Sequence, residues 1–281
     1  MCRFLLILSK SDISTKEMKE YFWFKDHSIF KQCYKMPLTP KSENCRDHHL
    51  NLDGFGFGFF FNNDPKIYTN TNLSWNDHNL MQLLELIKTK LLLVHIRSIS
   101  PLIKDIIVDK GAVQPPVHIY NCHPFEFDKY LFCHNGYIES FFDGINRKKI
   151  INNIDDNLIV RIKGSTDSEY FFYLILSFIK KSNSIIKGIK KTICFLNLLS
   201  KNKVLSLNFI LTTPDKSYIL RYYNHIEENP PSIYYFTDND NFFISSEPIY
   251  KCNEWILFKR DCLMEIDNKT KKFNLYSISL Q

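Results

Sequence analysis

A chain of 281 residues, 44 % apolar and 15 % aromatic, has the length and the side chains to bury a core, which excludes a disordered segment. Its formal charge of +6 is scattered through turns and loops rather than gathered into a stripe, so a nucleic-acid footprint is not favoured. The eight cysteines (Cys2, Cys33, Cys45, Cys122, Cys133, Cys194, Cys252 and Cys262) form no CxxC pair, which argues against a zinc site and for a reduced, cytoplasmic protein.

The chain opens MCRFLLILSK. Phe4 to Leu8 is too short for the apolar segment of a secretion signal, and no stretch elsewhere reaches the ~18 apolar residues of a membrane helix. The opening run therefore predicts a buried strand in a soluble protein. A second strand is expected over DGFGFGFFF, with Gly54, Gly56 and Gly58 on one face and Phe55, Phe57 and Phe59 on the other. Glycines along one sheet face imply a close approach by backbone or ligand. Leu80, Leu83, Leu84 and Ile87 have helical spacing and predict an amphipathic helix from Asn76 to Lys90. LLLVHIR reads as a continuous apolar strand ending in the cation Arg97. Tyr130 to Cys133 predicts a short strand, followed by His134–Asn135–Gly136 as a turn.

Ser165 or Thr166 can cap a helix from about Asp167 to Lys180, and a further helix is expected over Ile185 to Ser200. From Val204 onward the chain is rich in strands, with a turn at Pro214–Asp215–Lys216. Strands and helices come in runs rather than in strict alternation, which predicts a layered α+β fold. Neither a repeat nor a linker divides the chain, so residues 1–281 are expected to form one domain.

Five segments in order carry the functional reading: MCRFLLI, LDGFGFGFF, LLVHIRSIS, NCHPFEFDKYLFCHNGYIESF and KGSTDSEYFF. Together they resemble the class II glutamine amidotransferases, in which the cysteine behind the initiator methionine becomes the N-terminal residue. The spellings MCRF, DGFGFG, NCHPF, HNG and GSTDSE look like those of the amidotransferase subunit of the fungal glutathione degradosome and its bacterial relatives. NFILTTPDKSYILRYY and ISSEPIY are similar to the C-terminal strands of that subgroup. The resemblance implies a four-layer αββα N-terminal-nucleophile sandwich, with no metal or organic cofactor.

It also implies roles for particular residues. Freed of Met1, Cys2 would carry a thiol and an α-amine whose ordinary pKa of about 7.7–8.0 suits it to act as base for its own side chain. Read alone, Cys2 fits a buried strand cysteine better than a nucleophile; the other four motifs reverse that. The resemblance makes Asn135 and Gly136 the oxyanion donors, although Asn-Gly by itself is also a common hairpin turn. Arg97 has the planar fork that suits a substrate carboxylate, and Asp167 can accept from a substrate ammonium; the same residues could instead serve as a strand-end ion partner and a helix cap. Ser100 matches a hydroxyl position near the carboxylate. His95, His123 and His134 are expected to be structural. The chain departs from the pattern between Ser100 and Asn121, where residues 101–120 form an insertion, and at Leu52, which replaces a small residue.

The activity implied is cleavage of a γ-glutamyl amide through a Cys2 thioester, with glutathione as substrate and a metallopeptidase-like partner subunit. Two alternatives stand beside it: a glutaminase supplying ammonia to a separate synthase, and a non-catalytic interaction subunit that keeps the fold.

Overall fold

The computed structural model describes residues 2–34, 53–72, 77, 79–98, 115–225 and 230–278. In chain order these form β1 (Arg3–Ser9), α1 (Thr15–Lys19), β2 (Phe55–Phe61), β3 (Asp64–Asn70), α2 (Leu80–Leu86), β4 (Leu91–Ile96), β5 (Phe125–Phe127) and β6 (Tyr130–Ile138). Next come α3 (Gly144–Ile151), α4 (Asp156–Ile159), α5 (Asp167–Ser182), α6 (Ile185–Leu199), β7 (Leu205–Thr212) and β8 (Lys216–Arg221). The chain closes with β9 (Tyr234–Thr237), β10 (Asn241–Ser245), β11 (Ile256–Leu257), β12 (Cys262–Asp267) and β13 (Phe273–Ser277).

Two antiparallel sheets result. The first has the order β11-β9-β10-β1-β4-β2-β3 and the second β13-β12-β8-β7-β6-β5. β1 lies in the middle of the first sheet, between β10 and β4, with Leu5 opposite both Ser245 and Val94. A strand in that position is covered on both faces, which is why its sequence is continuously apolar rather than alternating. Phe4, Leu6 and Leu8 point between the sheets and pack with Leu93, Leu131 and Ile210. Leu5 and Ile7 point the other way, against Met18 of α1 and Leu80 and Leu84 of α2. On the far side of the second sheet, Phe132 and Phe209 meet Phe171, Ile175 and Ile193 of α5 and α6. The layers are therefore helix, sheet, sheet, helix. Each fully buried Leu or Phe contributes about 1.5–3 kcal/mol, so all three interfaces are needed.

Local signals explain the long helices. Thr166 caps α5 by accepting from Glu169 N, and Asp167 and Glu169 sit in the first turn, where the helix dipole favours negative charge. Asn183 ends α5 in the left-handed region at φ 49°. Ser184 then caps α6.

Two expectations need correction. The helix expected over 76–90 is confined to Leu80–Leu86, and Ile87 is already extended at ψ 126°. His134–Asn135–Gly136 is not a turn: it lies inside β6, with Asn135 opposite Asn208 and Gly136 opposite Leu207. Pairing with β7 over eight residues outweighs the local turn preference. No helix among the described residues is long and apolar enough to cross a membrane.

The glycine face of β2 meets backbone. A Cβ on Gly56 would lie 2.4 Å from His123 O and 2.6 Å from Tyr68 O. Gly56→Ala is therefore expected to lower stability by about 3 kcal/mol or more, since both obstructing atoms are backbone. Gly144→Ala, with nothing within 4 Å of the added carbon, should stay within about 0.5 kcal/mol of the parent. Urea denaturation of the two variants checks both values.

Candidate active site

The β1–β4 ladder brings Cys2 and Arg97 to one end of the first sheet. Arg3 faces Ile96 and Phe4 faces His95, so the next residues outward are Cys2 and Arg97. Cys2 shares the parity of Phe4 and points between the sheets. The Cys2 thiol donates to Ser98 O at 3.4 Å, and Ser98 N–H donates to Cys2 Sγ at 3.3 Å. Burial pushes the thiol above its ordinary range. The positive chain terminus, the Ser98 contact and the Arg97 guanidinium pull it down without overcoming that effect.

The peptide that carries Cys2 is clamped from the C-terminal half. Arg3 Nη2 pairs with Glu247 Oε1 at 3.0 Å, and Arg3 Nη1 donates to Cys2 O at 3.3 Å. Phe4 N–H donates to Ser246 Oγ, and Ser246 N–H to Phe4 O, each at 3.0 Å. The segment Ser246–Glu247 thus fixes residues 2–4 from the side opposite β4.

Arg97 is 5 % exposed. Its Nη1 donates to Asp53 O at 3.2 Å and its Nη2 to Pro115 O at 3.4 Å. Its backbone N–H donates to Gly54 O and its carbonyl accepts from Asp53 N. The bonds given to the guanidinium run to carbonyls, which leaves its positive charge to act on whatever enters beside it.

Among the described residues, the second sheet presents to this end a strand edge that no further strand pairs. Backbone groups of alternate residues in β6 point to opposite neighbours. Glu139 N–H donates to Val204 O, so odd-numbered residues face β7. Even-numbered residues face the other side, where β5 covers only Tyr130 to Phe132. On that edge His134 O accepts from His95 Nε2 at 3.2 Å, and Ile138 N–H donates to Asp167 Oδ2 at 2.9 Å. The Gly136 N–H lies between them on the same edge. The Asn135 side chain points between the sheets, like Leu131 and Cys133. It is 2 % exposed, and its Nδ2 has no hydrogen-bond partner among the described residues. A buried amide donor without a partner costs about 1–3 kcal/mol, which marks it as a group awaiting an acceptor.

Gly136 is required sterically: a Cβ there would lie 2.0 Å from Ser206 O and 2.4 Å from His134 Nε2. Those two atoms bond at 3.1 Å, and because Ser206 O only accepts, Nε2 carries the ring proton. Nδ1 of the neutral ring then accepts from Ser168 Oγ at 2.9 Å.

Asp167 stands at the start of α5. Its Oδ2 holds Ile138 N–H and its Oδ1 holds Ser168 N–H at 2.9 Å. Burial raises its pKa, against the pull of His134 and these donors. The loop before it is pinned by Glu169, which accepts from Lys163 N and Gly164 N, and by Asn121 Oδ1, which accepts from Ser165 N.

No family model matches the chain. It is 32 % identical over 187 residues to a Saccharomyces cerevisiae protein described as "Probable glutamine amidotransferase DUG3", an alignment covering 64 % of this chain and 46 % of that protein. The chain thus spans less than half the length of this curated relative. In fold it matches the glutamine aminotransferase class-II domain protein of Silicibacter pomeroyi at a TM-score of 0.66 and 19 % identity, covering 99 % of this chain and 100 % of that one. The glutamine phosphoribosylpyrophosphate amidotransferase of B. subtilis matches at a TM-score of 0.57 and 13 % identity, over 100 % of this chain and 50 % of that one. Over the aligned residues the chain is a homologue of that probable glutamine amidotransferase, and its fold is the one seen in the class II amidotransferase domain proteins.

In this amidotransferase homologue the αββα sandwich matches the expected fold. It gathers Cys2, Arg97, Asn135, Gly136 and Asp167 at one end of the two sheets. Ser100, residues 101–114 of the insertion and Met1 lie outside the described residues. Sequence reasoning did not single out Ser98 or Glu247. Ser98 acts through backbone, which leaves no residue-type signal, whereas the ISSEP spelling did contain Glu247. Among the described residues no group of three or more His, Cys, Asp or Glu could hold a metal ion.

Burial disfavours the charged form of His95, His123 and His134. His95 and His123 lie 4.2 Å apart between centroids, and His95 Nδ1 and both nitrogens of His123 have no hydrogen-bond partner among the described residues. Burial lowers His95 to about 3, takes His123 well below its ordinary value and lowers His134. A histidine whose folded pKa is depressed takes up its proton in the unfolded chain first, so stability falls as pH drops below the unfolded value of about 6.5. Each such proton contributes a slope of about 1.4 kcal/mol per pH unit. Asp167 and Glu169, raised by burial, oppose this only at lower pH, near the carboxylate range. Urea midpoints are therefore expected to fall steadily from pH 6.5 to pH 5; a flat profile there would show that the rings are charged in the folded protein.

Proposed function

We propose that the chain is one amidotransferase domain that hydrolyses a γ-glutamyl amide through a thioester on Cys2, once removal of Met1 has freed the α-amine. The observation that carries this reading is the buried Asn135 Nδ2, without a hydrogen-bond partner among the described residues, on the same inter-sheet face as Cys2. In the first step the amine takes the thiol proton and Cys2 Sγ attacks the γ-carbonyl carbon. The oxygen gains charge against Asn135 Nδ2 and the Gly136 N–H, the carbon–nitrogen bond breaks, and the leaving amine takes up the proton. Water then attacks the thioester with the amine again as base, releasing the γ-carboxylate and restoring the thiol. A thiol raised by burial needs such a base, because its own thiolate fraction at neutral pH is small.

Selectivity for the γ-glutamyl group is assigned to Arg97 for the α-carboxylate and Asp167 for the α-ammonium, with Ser100 as a further hydroxyl beside the carboxylate. The similarity of MCRF, DGFGFG, NCHPF and GSTDSE to the glutathione-degradosome subunit directs the substrate choice to glutathione, cleaved to glutamate and Cys-Gly. It also supports a metallopeptidase-like partner subunit and a cytoplasmic setting. The second reading is glutamine hydrolysis, favoured by the amidotransferase descriptions of the protein's relatives.

The test incubates the full chain, with Met1 removal checked by intact mass and with and without the candidate partner, on glutathione and glutamine in parallel. Release of Cys-Gly at the higher kcat/KM is expected; ammonia from glutamine at the higher efficiency would select the second reading. Cys2→Ala should reduce either activity to background, and Asn135→Ala should lower kcat by about 10²–10³-fold. Full activity of the complex with Cys2→Ala would make the chain a non-catalytic subunit.

A further inference from the structure

The direction of the backbone in β1 decides what the Cys2 nitrogen faces. The N–H and C=O of one extended residue point to the same side, and alternate residues share that side. Phe4 N–H and Phe4 O both bond Ser246, so the even-numbered residues here turn their backbone toward the C-terminal half. Lys10 N–H, which donates to Asp240 O, follows the same alternation. One step of the alternation back from Phe4, the carbonyl and the nitrogen of Cys2 lie on the Ser246–Glu247 side. The carbonyl contact agrees: Cys2 O accepts from Arg3 Nη1 at 3.3 Å, while Arg3 Nη2 pairs with Glu247 Oε1 at 3.0 Å. The two side chains are only 16 % and 7 % exposed, so most of the water that would screen their charges is excluded.

Once Met1 is removed, the nitrogen on that side is the α-amine. From this placement we infer that Arg3 and Glu247 are the positioning residues of the Cys2 base: Arg3 fixes the peptide behind the amine, and the pair sets the charge the amine meets. Arg3 is the nearer member, since it bonds the Cys2 carbonyl and Glu247 is joined to that carbonyl through it. The guanidinium opposes the ammonium form and keeps more of the amine neutral, as a base must be, and the carboxylate offsets part of that effect. Arg97 at the end of β4 and Asp53 before β2 also act on Cys2. Burial keeps the nearby Cys122 and Cys133 thiols protonated. Glu247 Oε2 lies 3.8 Å from His27 Nε2, and His27 Nδ1 meets Pro248 O at 2.9 Å. Because Pro248 O only accepts, the proton of a neutral ring is on Nδ1; a charged ring would offset Glu247 in the same sense as its loss. The inference rests on the reading of the Cys2 amine as base, and neither Arg3 nor Glu247 touches substrate.

The test reads the amine itself. The full chain is made with nitrogen-15 cysteine, Met1 removal is confirmed by intact mass, and the α-amine resonance is titrated by NMR. Glu247→Gln keeps an oxygen for Arg3 and drops the charge, so the titration midpoint is expected to move to lower pH by about 0.5 or more. Arg3→Gln should move it to higher pH by a similar amount. Arg3→Lys keeps the charge without the fork, so its midpoint should stay within about 0.2 of the parent. Equal midpoints in the parent, Glu247→Gln and Arg3→Gln, or displacement of both variants in one direction, overturn the inference. If Arg3→Gln does not fold, the near-isosteric Glu247→Gln decides the sign alone. The titration needs no turnover, so it decides the matter even if neither glutathione nor glutamine is cleaved, an outcome that would refute the proposed function separately. Where either substrate is cleaved, the acid limb of kcat/KM should follow the amine in each variant, and Arg3→Lys should lower kcat about tenfold with KM nearly unchanged. A loss of rate uniform in pH would show a merely structural role and overturn the inference.

Discussion

The register of β1 against β4 is the constraint on which the rest of the site depends. Phe4 opposite His95 puts Cys2 beside Arg97 and turns its side chain into the space between the sheets. A slip of one residue would send Cys2 to the outer face, under α1 and α2, and bring Arg3 inward. The alternative register is opposed on both faces: Phe4, Leu6 and Leu8 fill the inter-sheet core while Leu5 and Ile7 fill the outer one. The Arg3–Glu247 pair adds a polar lock, since a guanidinium turned inward would lose that carboxylate. An end residue such as Cys2 has few packing contacts of its own to hold it. Its placement is borrowed from the strand behind it and from Ser246–Glu247 beside it.

The second sheet contributes through what it leaves unpaired. β5 stops at the level of Phe132, so the edge of β6 beyond it carries backbone groups with no strand neighbour among the described residues. Unpaired edges ordinarily invite association. Here His95 and the start of α5 cover most of that edge, through His134 O and Ile138 N, and the gap between them falls at Gly136. The polar side chains at this end therefore do two jobs at once. His95 and Asp167 satisfy strand backbone on either side of the Gly136 N–H.

Much of this architecture was legible in the sequence because it rests on local or periodic signals. The apolar runs of β1 and β4, the Thr166 and Ser184 caps and the glycine face of β2 each follow from residue type and spacing. Asn135–Gly136 was misread as structure: two residues favouring a turn were overridden by a long-range pairing with β7 that no local window contains. The helix over Leu80–Leu86 was overextended for a related reason. The periodic leucines mark its buried face but say nothing about where the chain must straighten to enter β4.

Unsatisfied polar atoms follow a pattern of their own. Asn135 Nδ2, Tyr137 Oη, Ser206 Oγ and Asn208 Oδ1 are all buried without hydrogen-bond partners among the described residues. They belong to two facing pairs of one ladder, Asn135 with Asn208 and Tyr137 with Ser206, with the Gly136–Leu207 pair between them. Alternation along the strands puts all four side chains on the inter-sheet face. Apolar residues at these positions would remove the desolvation cost and extend the dry packing of Leu131, Cys133 and Ile210 to the end of the sandwich. The fold instead keeps polar groups there and carries the cost, while the same strands are dry further in. Stability is given up at one end of one ladder, and that end is where Cys2 and Arg97 arrive from the other sheet. A sandwich stabilised by three apolar interfaces can tolerate a local loss of that size, and the surrounding clamps from Glu247, Arg221 and Glu169 keep the loss from spreading into disorder.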